Sequence, residues 1–457
     1  MAAVPDPASP GGGPGSVRLP SASSSVPSPD GLVLAPFRAL RFDTAAAGDL
    51  ATLTSPPYDV IDADGVIRLE ATNDHNIVRL ILPRDPTGDP GNVDDTSMDR
   101  YSVARRTLER WRAEGVLRPD AVPALYVYEQ ADPSGGHAQR GLLGALALTP
   151  PEADIVLPHE NTMAGPVSDR LALYTAVDAD LEPIFLVYDG AGAASRAVAA
   201  ADTQTPLVDA VLPDGLRHRL WALTDEGQLA EIAADLHGRK ALIADGHHRY
   251  ATYLQRQTDR HAAGDGTGPW DFGLTFLVDA TTFGPEVHPI HRVVPGRPPA
   301  ELADLAAAGM SVREVGGRLP EAESRLSDVG RTGPAYVLTD GERAWLLQDP
   351  DAARLAASLP ADHSDAWKAL DVSVLHGYLV PELWGLPDTV HTVGYEHDVD
   401  AAVAAARRTG GTAVLLNPTP VEAVTAVAAG GERMPRKSTL FTPKPRTGLV
   451  VRDYRDT

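Results

Sequence analysis

From residue 31 onward the chain alternates short apolar runs with amphipathic stretches, and the two periods separate strands from helices. Residues 98–115, MDRYSVARRTLERWRAEG, repeat their apolar side chains at helical spacing and end on a glycine suited to a C-cap. Residues 124–128 and 140–148 predict neighbouring strands, because the DPSGG between them is a turn signal. Further strands are expected over 182–190, 241–244, 273–279 and in EVHPIHRVV, with a helix ending in EIAADLHGRK. The stretch 155–177 is polar and loop-like until Ser168, which predicts a capped helix over 169–176. Residues 300–360 read as a smaller α+β unit, with a helix in ELADLAAAGM and a hairpin around Asp340-Gly341. The tail predicts helices in AAVAAARRTG and VEAVTAVAAG, a strand in TAVLLNP, and the loop MPRKSTLFTPKPRTGLV. No fixed-period repeat is present, and helices and strands mix throughout, which predicts an α/β to α+β class.

Composition narrows the classes of function. The net charge is −22, from 62 acidic against 40 basic residues, which opposes capture of a nucleic-acid backbone. A cleft sets its own local field, so a small anion remains a fitting ligand. With no cysteine, disulfides, thiolate metal sites and cysteine nucleophiles are excluded. No run approaches the length of a membrane span, so no membrane partner is expected. Residues 1–30 are rich in Pro, Gly and Ser and lack the basic and apolar regions of a signal peptide; they predict a disordered leader. A cytoplasmic location follows as the expectation. The sequence says nothing about oligomeric state.

The candidate chemistry centres on ALIADGHHR, residues 241–249. Four apolar residues predict a buried strand, Asp245-Gly246 a tight turn, and His247 the start of a helix. The first amides of such a helix lack intrahelical partners and face the positive end of its dipole. Asp245 is expected to cap some of them, leaving others for an anion beside the guanidinium fork of Arg249. His159 and Glu160, with Asp169 and Arg170, put ionisable groups on a second loop. Glu160 is the candidate general base, oriented by His159 or Arg170; a helix cap with a surface ion pair is the plainer alternative. Asp59 is aimed by the prolines of SPPYDVI, or else closes an Asx-turn. Lys437, with the hydroxyls of Ser438 and Thr439, offers a second phosphate contact within the one concentrated basic run, which also holds Arg436 and Lys444. The glycine lead of a P-loop is missing there. His288 and His291 read as strand-end residues, and no metal site is expected.

ADGHHRYAT resembles the phosphate-binding turn of the ParB/sulfiredoxin superfamily, and free serine kinases of that superfamily carry a similar Asp-Gly-His-His-Arg. Beyond Leu34 the chain resembles the family called domain of unknown function 1015, through SPPYDVI, PHENT with DRL, IADGHHRYAT, HPIHRVV and MPRKSTLF followed by PK. The resemblance implies a ParB/sulfiredoxin-like phosphate-binding core over 31–295 and a smaller α+β region over 296–457. It implies a kinase-like phosphotransferase acting on free serine or a similar hydroxylated metabolite, with Mg²⁺ and a nucleotide or pyrophosphate donor. Asp245, Gly246, His247, His248 and Arg249 would hold the donor with Ser438 and Thr439, while Glu160, Asp59 and Lys437 would serve catalysis. A nucleotide-binding regulator without turnover is the alternative.

Overall fold

The structure is a computed structural model that describes residues 29–84, 99–316, 319–389 and 391–456. The expected leader over 1–30 lies, up to residue 28, outside the described residues.

Most of the apolar runs form strands of one mixed sheet. From one edge its order is Val156–Leu157, Ala241–Asp245, Ile184–Tyr188, Phe272–Asp279, Ala138–Ala147, Leu125–Ala131, Arg217–Leu223 and Val208–Val211, with Leu34–Ala35 also pairing on Ala138–Ala147. The hairpin expected at DPSGG is there, with Tyr126 opposite Leu143. Ala241–Asp245 runs parallel to Val156–Leu157 on one side and antiparallel to Ile184–Tyr188 on the other. Its first four residues are buried, as the apolar run requires. The amphipathic helix Asp99–Ala113 buries Trp111 completely, a side chain whose removal from water is worth roughly 2–3 kcal/mol.

A second sheet, antiparallel throughout, has the order Ser311–Glu314, Ala344–Gln348, Tyr336–Thr339, Thr412–Leu415, His291–Val294, Gly394–Glu396. Its hairpin turns at Gly341, whose φ of 86° supplies the left-handed turn residue. Helices Val399–Thr409 and Val421–Ala429 follow the expected pattern, the first ending on Gly410 in the left-handed region.

Three expectations need correction. The helix expected from Ser168 spans Ala164–Val177, so Ser168 lies inside it rather than at its cap. The two units do not part at 295/296 either, because His291–Val294 belongs to the second sheet. Nor does the C-terminal segment stay with that sheet. It pairs Thr447 with Ser55 and Val451 with Leu40, and Arg452–Asp453 with Ala179–Asp180. Among the described residues no helix is long and apolar enough to cross a membrane.

Candidate functional site

The strand, turn and helix read from ALIADGHHR are all present: Ala241–Asp245, then Gly246 at φ 94° and ψ 27°, then the helix His247–Ala262. Only glycine takes that φ without strain. No side chain caps the helix. Asp245 was the expected cap, but its Oδ1 lies 2.6 Å from Lys444 Nζ and its Oδ2 accepts from Arg249 Nη2 at 2.5 Å. Ion pairing with a lysine some two hundred residues along the chain outweighs a local capping bond, which is why sequence proximity pointed the wrong way. Among the described residues the amides of the first turn have no side-chain acceptor.

Arg249 does not present an open fork. It is buried, donates from Nη1 to the Pro183 carbonyl at 2.5 Å, and spends Nη2 on Asp245. It acts as a fixed positive charge beneath the turn. The two histidines are also structural. His247 Nε2 accepts the backbone N–H of His159 at 3.3 Å, and His248 Nε2 accepts that of Met163 at 3.1 Å. Burial holds both imidazoles below their ordinary pKa, so they are neutral acceptors rather than phosphate-gripping cations. Together they clip the 159–163 loop onto the turn. His248 thereby holds the backbone N–H of Met163, the N-cap residue of Ala164–Val177, whereas Ser168, the expected cap, lies inside that helix.

The clip brings Glu160 to the turn. Val156–Leu157 pairs in parallel with Ala241–Leu242, so the chain after it runs beside 243–245. Among the described residues no hydrogen bond or ion pair engages the Glu160 carboxylate, which is half-buried. Burial pushes its pKa up to about 7; Lys437 opposes that rise, Asp245 adds to it and Lys444 opposes it. His159 and Arg170 do not orient it. His159 is buried, its pKa driven down to about 3 by desolvation, and its Nε2 sits 3.0 Å from Thr439 Oγ1. Arg170 is engaged by Asp169, by the Ile81 carbonyl at 2.6 Å, and by the ring of Tyr58 at 4.3 Å.

Asp59 meets the same cluster from SPPYDVI, which forms a short 3₁₀ turn over Tyr58–Val60. Its Oδ2 takes a hydrogen bond from Lys444 Nζ at 2.8 Å. Burial works against its ionisation, but Lys444 and then Arg249 outweigh it and hold the carboxyl below its ordinary range. Lys444 is the residue that the sequence reading passed over as a candidate. It lies between Pro443 and Pro445, whose rings stiffen the segment, and that bracketing was the available signal. Gln130 and Gln139 fasten this segment by donating to the Lys444 and Pro443 carbonyls at 3.0 and 2.9 Å. Lys437 stands exposed at a φ of 53°, near enough that its charge acts on Asp59 and Glu160. The hydroxyls beside it are occupied: Ser438 Oγ donates to the Pro435 carbonyl at 2.5 Å, and Thr439 Oγ1 holds His159. The arrangement therefore combines a carboxyl whose pKa burial raises to about 7, an uncapped helix start and two lysines.

Fold and site define a mixed α/β protein with a charged cluster gathered at a strand–glycine–helix turn. The model of the family described as "Protein of unknown function (DUF1015)" matches residues 34–373, and the chain belongs to that family. No curated protein matches it. Among solved structures it is similar to "Free serine kinase in complex with AMP", at 16% identity and a TM-score of 0.31, over 66% of this chain and 91% of that one. A conserved hypothetical protein from Pyrococcus furiosus is similar at 14% identity and a TM-score of 0.30, over 66% and 94% of the two chains. SbnI with a C-terminal truncation, from Staphylococcus aureus, is similar at 13% identity and a TM-score of 0.33, over 68% and 87%.

Proposed function

We propose that this protein transfers a phosphoryl group from a nucleotide or pyrophosphate to the hydroxyl of a small metabolite, with free serine the first acceptor to test. The observation that carries the reading is Glu160: a carboxylate with a pKa near 7 and no partner among the described residues, clipped beside a glycine turn whose helix amides lack a side-chain cap there. Such a group takes a proton efficiently at neutral pH. In the proposed step Glu160 accepts the acceptor's hydroxyl proton as the new O–P bond forms, and the bond from phosphorus to the donor's bridging oxygen breaks. The helix amides and Lys444 stabilise the charge on the transferring group and the leaving phosphate, with Lys437 at the rim. Arg249 and the two histidines act through the shape of the turn. Mg²⁺ supplied with the donor would neutralise part of the phosphates' charge. Among the described residues no group of three or more His, Cys, Asp or Glu side chains is set to hold a metal alone.

The test is purified protein with serine, Mg²⁺ and ATP, ADP or pyrophosphate, read by ³¹P NMR for phosphoserine. Lys444→Met is expected to lower kcat by about 10²–10³, the scale of losing one charge-stabilising contact in a transition state. Absence of turnover together with absence of donor binding overturns the proposal. Donor binding with no turnover on any hydroxylated acceptor supports the regulator instead.

A further inference from the structure

The proposed reaction leaves one buried cation unused. Arg292, on the strand His291–Val294 of the second sheet, is fully buried, and among the described residues no carboxylate lies within ion-pair distance of it. Desolvation lowers its pKa to about 10, a burden that an apolar residue like its neighbours Val293 and Val294 would not carry. Its donors go to neutral acceptors instead. Nη1 donates to the Ile290 carbonyl at 2.5 Å and Nε to His376 Nε2 at 3.1 Å. Nη2 donates to two successive carbonyls, those of Arg436 at 3.3 Å and Lys437 at 2.9 Å. The bond to His376 Nε2 leaves that imidazole's proton on Nδ1, which lies 3.0 Å from Asp388 Oδ1. The same Oδ1 is 3.8 Å from Arg436 Nη2.

The two carbonyls on Nη2 flank the backbone dihedrals of Lys437, so one guanidinium nitrogen fixes both of them. Lys437 needs that hold, because its φ of 53° lies in the left-handed region that a residue with a Cβ rarely adopts. Ser438 Oγ ties the other side of the turn to the Pro435 carbonyl at 2.5 Å. The backbone conformation sets the direction of the Cα–Cβ bond, and with it where the exposed lysine stem is sent. It is sent toward the cluster, since the Lys437 charge acts on both Asp59 and Glu160. We infer that Arg292 is a positioning residue, which locks Lys437 in the left-handed turn that aims its ammonium at Asp59 and Glu160, while His376 and Asp388 orient the guanidinium from behind. The inference rests on the phosphotransfer reading above for what the aimed charge does, and not for where it is aimed.

The test compares Arg292→Lys, Lys437→Ala and the double variant of the full chain in two readouts. One is pyrophosphate affinity by calorimetry. The other is the Glu160 pKa by ¹³C NMR, its carboxyl signal identified by loss in Glu160→Gln. Arg292→Lys keeps a charge but loses the fork that spans two carbonyls. It is expected to weaken pyrophosphate by about tenfold and to raise the Glu160 pKa by about half a unit, because the charge opposing that rise is turned away. Lys437→Ala is expected to do the same, and the double variant no more than either single one, the signature of two residues acting as a unit. His376→Leu removes the acceptor behind Nε and leaves every backbone carbonyl in place, so it keeps the test open if Arg292→Lys fails to fold. It is expected to shift both readouts the same way, with about a threefold loss of affinity. Wild-type values in the Arg292 and His376 variants overturn the inference. So does a loss that adds in full to that of Lys437→Ala, since a purely structural role would behave that way. Absence of pyrophosphate binding in the wild type counts against the phosphotransfer reading instead, and the Glu160 titration then decides the positioning role by itself.

Discussion

In the proposed reaction Glu160 would tie stability and activity to the same proton. Its carboxyl has an ordinary pKa of 4.5 and is raised to about 7 in the fold. Below pH 4.5 it is neutral in the folded and unfolded chain alike. Between the two values the unfolded chain ionises while the folded one resists, so stability falls as pH rises through that window and stays lower above it. Glu160→Gln is therefore expected to be more stable than wild type at pH 8, on the order of 1–3 kcal/mol after allowing for partial exposure, with no difference near pH 4. Urea unfolding at the two pH values checks this; an equal effect at both contradicts the assigned burial. The same variant is expected to lose about 10²–10⁴ in kcat/KM, while the wild-type value climbs as pH passes 7.

At the level of elements, the strand, glycine turn and helix start form a rigid piece with little tolerance at its hinge. A Cβ on Gly246 would meet Arg249 Nε and Ile184 Cγ2 at 3.2 Å, at a φ of 94°. Arg249 cannot swing away, because the Pro183 carbonyl and Asp245 both hold it. Gly246→Ala is thus expected to lower stability by about 1–2 kcal/mol and to weaken phosphate binding. Thermal unfolding and pyrophosphate titration read the two effects; an unchanged midpoint would show that the turn relaxes freely. The helix Ala164–Val177 illustrates the converse. It starts after Met163, whose backbone N–H donates to His248, and not at the local cap residue that its sequence offers at Ser168.

For the molecule as a whole, the C-terminal segment is the element that joins the parts. It leaves the second sheet, passes Lys444 between Asp59 and Asp245, and ends against the first sheet with Arg452 paired to buried Asp180 at 2.7 Å. Arg452 also donates to the Pro269 and Phe272 carbonyls at 2.7 and 3.1 Å. Arg452→Met is expected to cost about 3–5 kcal/mol, because it strands a buried carboxylate, and loosening this anchor should also weaken donor binding. Chemical denaturation and ADP titration of one sample check both; a destabilisation under about 1 kcal/mol would mean water repairs the site. Much of the architecture was legible in local pattern: the amphipathic helix around Trp111, the hairpins at DPSGG and Asp340-Gly341, and the strand–turn–helix of ALIADGHHR all follow from periodicity and turn chemistry, which act over a few residues. The roles inside the site were less legible. Asp245 read as a cap and Arg249 as an open fork because their neighbours in the chain allow it, whereas Lys444 and the Pro183 carbonyl reach them only through the fold. Glu160 was recognisable as an acid on a polar loop, but its pKa depends on burial and on the charges around it. Periodicity and turn residues thus specify the elements and the residue types of the candidate site. Long-range pairing specifies which charges meet and which are already spent, because ionic and desolvation energies depend on distance in space and not on separation along the chain.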